Sequence, residues 1–302
     1  MLRTMLRTAS VNPYLNLAFE SYLMSRVAPR QNLLLLYRNA PSVVVGRHQN
    51  IHAECNLRLM REHGVLPVRR VSGGGAVYHD LGNVNIAFLG PAEQYDQEAN
   101  YQVVLGALHS LGFAVERNER NDLLIAGKKI SGSAFRHSGG ASLHHLTLLV
   151  APHFERLSGM LKGDGLFAYE SKGINSVRSE VSSLARSKHE YKDLATALPT
   201  LEQALAGTFK PAQQPPVLPM RAIAGLPEVQ HHRHKLESED WIYHKCPAFR
   251  ARYRELEVWV REGRIEQLGL IPHNDTMSSR FCGRSWHKSM DEIVMMFDNK
   301  EE

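Results

Sequence analysis

The run Arg69-Arg70-Val71-Ser72-Gly73-Gly74-Gly75-Ala76-Val77-Tyr78-His79-Asp80-Leu81-Gly82-Asn83 brings cations, a hydroxyl, bare backbone and an aromatic ring together in one short stretch. Three consecutive glycines expose amide donors and remove side chains that would hold an anion at a distance, and Arg69 and Arg70 add positive charge beside them. Such a run can cradle a phosphate or a carboxylate, so an acyl or nucleotidyl phosphate is the expected ligand. The competing reading is a glycine-rich turn that only needs unusual backbone angles. The flanks argue against it. Val65, Val68 and Val71 lead in, and Val77, Val84, Ile86 and Phe88 lead out at strand spacing, so the glycines join two strands. Turn chemistry alone gives no reason for paired arginines at that point.

Lys129 is the second candidate. Asp122–Ile125 and Lys129–Ser133 read as the arms of a hairpin around Ala126-Gly127. If Ile130 faces the core, strand alternation turns Lys129, Ser131 and Ser133 to the cradle side and Lys128 away from it. Taken by itself, a lone lysine in a hairpin is more often a solvated surface charge, and composition does not overturn that.

Other chemistries find less support. Cys55, Cys246 and Cys282 stand far apart with no CxxC pair, which suits a reducing compartment and suggests neither a zinc knuckle nor a disulfide framework. His231-His232-Arg233-His234 could ligate a metal, but adjacent histidines on a helix point in different directions, and a solvated linker helix is expected. The formal charge of +5 over 302 residues is modest and dispersed, which disfavours a nucleic-acid partner and suits docking of an acidic protein. No apolar run approaches the roughly 20 residues that cross a bilayer. Met1-Leu-Arg-Thr4 is repeated as Met5-Leu-Arg-Thr8 before the first acid, Glu20. Two arginines without acid hint at a mitochondrial presequence, but patterned sequence begins near Asn12, and a cytoplasmic protein is expected.

The positioning elements are legible. Leu15, Ala18, Phe19, Tyr22 and Leu23 recur at helical spacing after Asn12-Pro13, a start signal. Leu33–Tyr37 and Ser42–Val45 read as strands around an Arg38–Pro41 turn, Asn56–His63 as a helix stopped by Gly64, and Tyr101–Leu111 as a helix closed by Gly112. The proline-rich stretch 210–219 is a connector. Alternation returns over Trp241–Val260 and Ile265–Leu270, giving a small strand-rich accessory domain, with 297–302 expected to be loose. The division drawn is 1–235 and 236–302.

The pattern RRxSGGGxVYHDxGN resembles the signature of the lipoate-protein ligase A and lipoyltransferase family. Further segments are similar in order: Asn12–Glu20, Pro41–Asn50, Glu54-Cys55-Asn56, Asn121–Leu124, Gly127–Ala134, His144–Leu149 and Lys172–Ser179. Together they cover roughly Asn12 to Leu184, and several ordered motifs are far more specific than one glycine run.

The resemblance implies an α+β fold related to biotin ligases: a mostly antiparallel sheet with flanking helices, followed by a small α+β domain. It implies ATP-dependent adenylation of lipoate or octanoate with magnesium, then transfer from lipoyl-AMP to a lysine of apo lipoyl domains. Those domains belong to 2-oxoacid dehydrogenase E2 subunits or to glycine cleavage H protein, and the ligase is expected to be a monomer. Lys129 would contact the acyl carboxylate and the α-phosphate as a fixed positive charge. Arg70 and the amides of Gly75, Ala76, Val77 and Tyr78 would form the cradle, with Ser72, Gly73 and Gly74 shaping its turn. Asn83 and Asp122 would orient the adenylate or its metal, with Asp122 the metal candidate, although either could be a turn or cap residue. His79, His144 and His145 are expected to be structural, because the attacking carboxylate needs no base. The alternative is a lipoyltransferase that uses preformed lipoyl-AMP. An acyl-carrier-dependent transferase would need a cysteine near His144–Val150, where none occurs. Biotin ligation would need a GRGRxxR-type turn, and a silent binding module should have lost Lys129 or the cradle.

Overall fold

The computed structural model describes residues 3–270 and 280–298; positions 1–2, 271–279 and 299–302 lie outside the described residues. The chain opens with strand β1 (Arg3–Thr8) and helix α1 (Pro13–Arg26). Asn12 Oδ1 accepts from the Leu15 amide to close the first turn of α1, and Pro13 sits where a helix needs no N–H. Then come β2 (Asn32–Tyr37), β3 (Ser42–Val45), the short helices α2 (Ile51–Glu54) and α3 (Leu57–Glu62), and β4 (Leu66–Arg69). Past the glycines lie β5 (Val77–His79), β6 (Asn83–Pro91) and α4 (Gln97–Ser110). α4 starts four residues before the expected point because Asp96 caps it.

Short strands β7 (Glu116–Arg117), β8 (Leu123–Ile125) and β9 (Lys128–Ser131) precede the long pair β10 (Ser133–Ser138) and β11 (Ala141–Leu149). Ala126 and Gly127 both take positive φ, 50° and 72°, the geometry of the tight hairpin expected there. The chain continues through α5 (Phe154–Met160), β12 (Ala168–Ser171), α6 (Leu184–Ser187) and α7 (Leu194–Phe209). It ends with β13 (Val217–Leu218), α8 (Met220–Ala224), α9 (Pro227–Glu237), β14 (Phe249–Tyr253), β15 (Leu256–Arg261), β16 (Arg264–Leu270) and α10 (Trp286–Asp298).

The main sheet has the order β10-β11-β6-β2-β1-β13, antiparallel from β10 to β2 and parallel from β2 to β13. Its centre is covered on both faces, which explains the unbroken leucines of β2. Leu33, Leu35 and Tyr37 pack with Leu15 and Phe19 of α1, whereas Leu34 and Leu36 pack with Tyr101 and Leu108 of α4 and Leu205 of α7. The same alternation sends His145 of β11 toward α1 and His144 toward α4. Removing one such leucine side chain costs about 2–5 kcal/mol.

A second sheet, β4-β3-β5, answers the question of what the glycines join. The two flanking strands do not touch; both pair with β3, so the glycine run arches over the end of that strand. Gly46 follows β3 directly, and a Cβ there would lie 2.1 Å from the Gly74 carbonyl oxygen, so only glycine lets the arch close.

The small sheet β12-β14-β15-β16 packs against α10 through Phe249, Val258, Leu268, Trp286 and Ile293. Its edge strand, Ala168–Ser171, comes from the middle of the chain. Trp241 is not strand-like: it sits in a π turn, Asp240–His244, and packs in the core that contains α1 and α9. At the end, Phe297 is buried on the last turn of α10 rather than loose, because its ring meets Tyr253; residues 299–302 lie outside the described residues.

Candidate active site

Two adjoining cavities open beside the glycine arch. The first, about 280 Å³, is lined by Arg70, Gly75, Ala76, Val77, Asp122, Lys129 and His145, with Leu17, Tyr37, Val44 and Leu146 deeper in. The second, about 320 Å³, is lined by Tyr78, Ser131, Leu149, Leu161, Arg178 and Val181, and shares Ala76, Val77, Lys129, Thr147 and Ser176 with the first. Lys129 therefore stands on the wall common to both.

Strand alternation brings it there. Ile130 is fully buried in the core under α4, Lys128 points outward to pair with Glu180, and Lys129 turns inward. Its backbone is fixed by the Lys129 amide donating to Glu180 O at 2.9 Å and by the Ser182 amide donating to Lys129 O at 2.8 Å. Its Nζ lies 2.7 Å from Asp122 Oδ1, with the lysine side chain 23% exposed and the aspartate 7%. Asp122 Oδ2 has no hydrogen-bond partner among the described residues. Asp122 is also the one carboxylate on the wall of the first cavity, and the second has none. Among the described residues no three His, Cys, Asp or Glu side chains gather as a metal site. One carboxylate with a free oxygen suits magnesium, which commonly takes one or two protein carboxylates and completes its shell with nucleotide phosphates and water.

The paired arginines, expected as positive charge beside the glycines, are both engaged by backbone carbonyls. Arg69 is wholly buried, donating to the carbonyls of Gly46, Arg47, Gln49, Trp241 and Ile242. Arg70 is also buried. Its Nη1 donates to Val44 O at 2.9 Å, its Nη2 to Gly73 O and to Gly75 O at 2.8 Å, and its Nε to Ser72 Oγ at 3.1 Å. Burial lowers both guanidinium pKa values to about 10, opposed at Arg70 by Glu20 and Tyr37. Both remain charged at neutral pH; the Arg70 fork holds the arch from inside, because carbonyls that bend inward around a turn need donors, and the Arg69 fork ties segment 46–49 to the π turn at 241–242.

Gly74 takes φ +88°, and its virtual Cβ would fall 2.8 Å from Arg70 Nη2. Gly73 and Ser72 complete the bend. Of the cradle amides, that of Ala76 donates to Ser176 Oγ at 2.8 Å, while Val77 and Tyr78 belong to β5. Asn83, like Ser72, Gly73 and Gly74, lines neither cavity. It is fully buried at the start of β6, and neither side-chain amide atom has a partner.

Behind the arch runs a polar chain that sequence reasoning missed. Ser72 Oγ lies 2.7 Å from His145 Nε2, His145 Nδ1 lies 3.1 Å from Glu20 Oε2, and Tyr37 OH donates to the same carboxylate oxygen at 3.0 Å. Burial, reinforced by Glu20, raises the Tyr37 pKa well above its ordinary value. His145 is therefore more than the packing residue expected, since it ties α1 to the arch. The available signal was Glu20 on the apolar face of α1. His79 lines the first cavity: Asn39 Nδ2 lies 2.9 Å from its Nδ1, and burial lowers its pKa to about 3, so the ring is neutral. His144 is likewise lowered to about 3 by burial, among Phe88, Tyr101 and Phe135.

Two further segments close the site. Gln49 Oε1 accepts from the Gly46 amide, and Gln49 Nε2 donates to Ser176 Oγ at 3.0 Å. The Ser176 amide in turn donates to Glu54 Oε1 at 3.1 Å, so the 172–179 loop is seated over the arch. These contacts join motifs that are more than 100 residues apart.

The model of the family described as lipoyl protein ligase A/B catalytic domain matches residues 12–206. Lipoate-protein ligase A of Psychrobacter cryohalolentis is 37% identical over 253 residues, covering 81% of this chain and 73% of its own. The protein of the same name from Bdellovibrio bacteriovorus is 37% identical over 241 residues, with 78% and 70% covered. Among solved structures, P. falciparum LipL1 in complex with lipoate superposes with a TM-score of 0.69 at 26% identity, over 88% of this chain and 83% of that one. The match takes in both strands of the arch, Lys129 and the 172–179 loop, and the chain belongs to the lipoyl protein ligase A/B catalytic domain family.

Proposed function

We propose that the protein is an ATP-dependent ligase that activates lipoate, or the shorter octanoate, as its adenylate and transfers the acyl group to a lysine of an apo lipoyl domain. The observation that carries this reading is one convergence: Lys129, Asp122 and the Gly75–Val77 backbone meet on the first cavity, which has an apolar inner end. The 37% identical relatives bear the ligase name, and lipoate occupies LipL1, which supports the choice of acid.

The acyl chain enters the compartment between Leu17, Tyr37, Val44 and Leu146, and the nucleotide takes the one bounded by Tyr78, Leu149, Leu161 and Val181. A carboxylate oxygen of lipoate attacks the α-phosphorus of ATP. The new P–O bond forms as the bond to pyrophosphate breaks. Lys129 Nζ, on the wall between the compartments, offsets charge on the crowded α-phosphoryl oxygens, a contribution worth about 10²–10³ in rate for one well-placed donor. The Gly75–Val77 backbone lines the same cavity, and the Ala76 amide can turn to this group only by leaving Ser176 Oγ. Magnesium would be held by Asp122 together with the nucleotide's own phosphates, and when bound it would neutralise the leaving pyrophosphate.

In the second step the neutral amine of the acceptor lysine attacks the acyl carbon. The C–O bond to AMP breaks, and the amine proton passes to solvent. The strands and helix from Phe249 to Asp298 form an accessory part, and the acceptors are lipoyl domains of 2-oxoacid dehydrogenase E2 subunits or of glycine cleavage H protein.

The test mixes the protein with an apo lipoyl domain, lipoate, ATP and magnesium and reads the acceptor's mass. Lipoylation is expected. No modification, with rescue by added lipoyl-AMP, would leave transfer alone as the activity.

A further inference from the structure

Three carbonyls at the end of β4 receive donors from three distant segments, and each segment brings a cation. Trp241 Nε1 donates to Arg69 O at 2.8 Å, and Lys235 Nζ stands 4.3 Å from the centre of the Trp241 ring. Arg136 Nη1 donates to Val71 O at 2.7 Å, and the Arg47 amide donates to Ser72 O at 2.9 Å. Lys245 lies close enough to act on Lys235. After burial, which is the first cause in both cases, Arg47 depresses the pKa of Arg136, and Arg47, Arg136 and Lys245 depress that of Lys235.

Arg47, Lys235 and Lys245 are exposed and Arg136 is half-buried. None of the four forms an ion pair among the described residues. The carboxylates nearest in sequence are engaged elsewhere, Glu237 by Arg233 and Asp240 by His244. Like charges gathered without counter-charge repel one another unless an anionic partner covers them. None of these cations lines either cavity, so the patch is a surface rather than a seat for a small anion. It also adjoins the site. The Ile174 amide donates to His48 O next to Arg47, and Ile174 and Val177, 50% and 65% exposed, form an apolar rim on the first cavity. A cationic ring beside an exposed apolar rim has the make-up of a protein-docking face.

We propose that Arg47, Arg136, Lys235 and Lys245, with Ile174 and Val177, are the surface on which an acidic protein acceptor docks to present its lysine to the cavity. The proposal rests on the ligase reading above and names where that acceptor sits. The probe is an apo lipoyl domain of net negative charge, tested on wild type, Lys235→Glu/Lys245→Glu and the charge-conserving Lys235→Arg/Lys245→Arg.

Lipoate-dependent ATP–pyrophosphate exchange, which needs no acceptor, reports the first step. Acceptor KM and calorimetric binding without ATP report docking. Exchange should be unchanged in both variants. The glutamate pair should raise acceptor KM and Kd by about tenfold or more at low ionic strength and lose the wild-type salt dependence, and the arginine pair should not. Unchanged acceptor KM and Kd in the glutamate pair would overturn the proposal. So would a parallel fall in exchange, which would assign the patch to the nucleotide. If wild type shows no exchange, the ligase reading fails by itself, and acceptor binding still decides the docking surface.

Discussion

Lys129 Nζ lies 2.7 Å from Asp122 Oδ1 on the wall that two cavities share, so the cation is held in place before any ligand arrives. Electrostatic catalysis gains from such preorganisation, because no reorganisation is needed as charge develops. Lys129→Ala should retain the fold and lower pyrophosphate exchange by about 10²–10³. Asp122→Asn should lower exchange less but shift its magnesium requirement upward, since Asp122 is the one carboxylate in the first cavity. Full exchange in Lys129→Ala would remove this lysine from the chemistry.

Arg70 makes a different prediction from that of a free phosphate-binding arginine. Its fork spans Val44, Ser72, Gly73 and Gly75, which a lysine's single ammonium cannot do. Arg70→Lys should therefore behave nearly as badly as Arg70→Met in exchange, and both should lose about 3 kcal/mol of stability by denaturant unfolding. Substantial rescue by lysine would mean that charge matters there rather than shape.

How much was legible follows from where each residue's partners lie. Lys129 could be read because its direction depends on Ile130, its chain neighbour. The hairpin at Ala126-Gly127 and the Asn12 cap were equally local. Arg69 and Arg70 were read as charge beside the glycines, but the burial of their forks was not legible, because Arg69's acceptors at 46, 47, 49, 241 and 242 and Arg70's at 44 lie on segments that no spacing rule brings together. The same distance hid Ser176 and the Glu20–His145–Ser72 chain. Trp241 read as strand because apolar alternation does not report a π turn. The paired lipoyl-ligase motifs carried the fold class, since alternation alone gives strands without their order, and here β4 and β5 are separated by β3.

The Glu20–His145–Ser72 chain is a coupled unit and is tested as one. His145→Phe leaves the Glu20 carboxylate, 1% exposed, with Tyr37 as its remaining hydrogen-bond partner among the described residues. A buried acceptor left short of a donor costs about 1–3 kcal/mol, whereas removing both partners costs much less. A double-mutant cycle of His145→Phe with Glu20→Gln should therefore show a coupling of at least about 1 kcal/mol in unfolding free energy. Lipoate KM should rise more than kcat falls, because the chain supports the arch from behind. Additive effects would show that the contacts are independent.

His52 carries the pH prediction. It projects from α2 into the rings of Tyr169, Tyr243, Phe249 and Trp286, with centroids 5.7–6.4 Å away and neither ring nitrogen bonded. Burial, reinforced by the nearby His287, Arg69 and His244, lowers its pKa from 6.5 to about 3. A histidine depressed in the folded state is held neutral there, so the unfolded chain binds the extra proton between pH 6.5 and about 3. The stability supplied by neutral His52 is present above pH 6.5 and is lost as pH falls through that window, at about 1.4 kcal/mol per unit. His79 and His144, also lowered to about 3, add to the same acid limb. His52→Phe keeps a ring of similar size and removes two unsatisfied polar atoms, so at pH 7.5 it should be neutral or stabilising. Between pH 6.5 and 5 its stability should decline less steeply than that of wild type, by about one proton's slope. Parallel pH profiles in the two proteins would show that His52 is protonated, or solvated, in the native state.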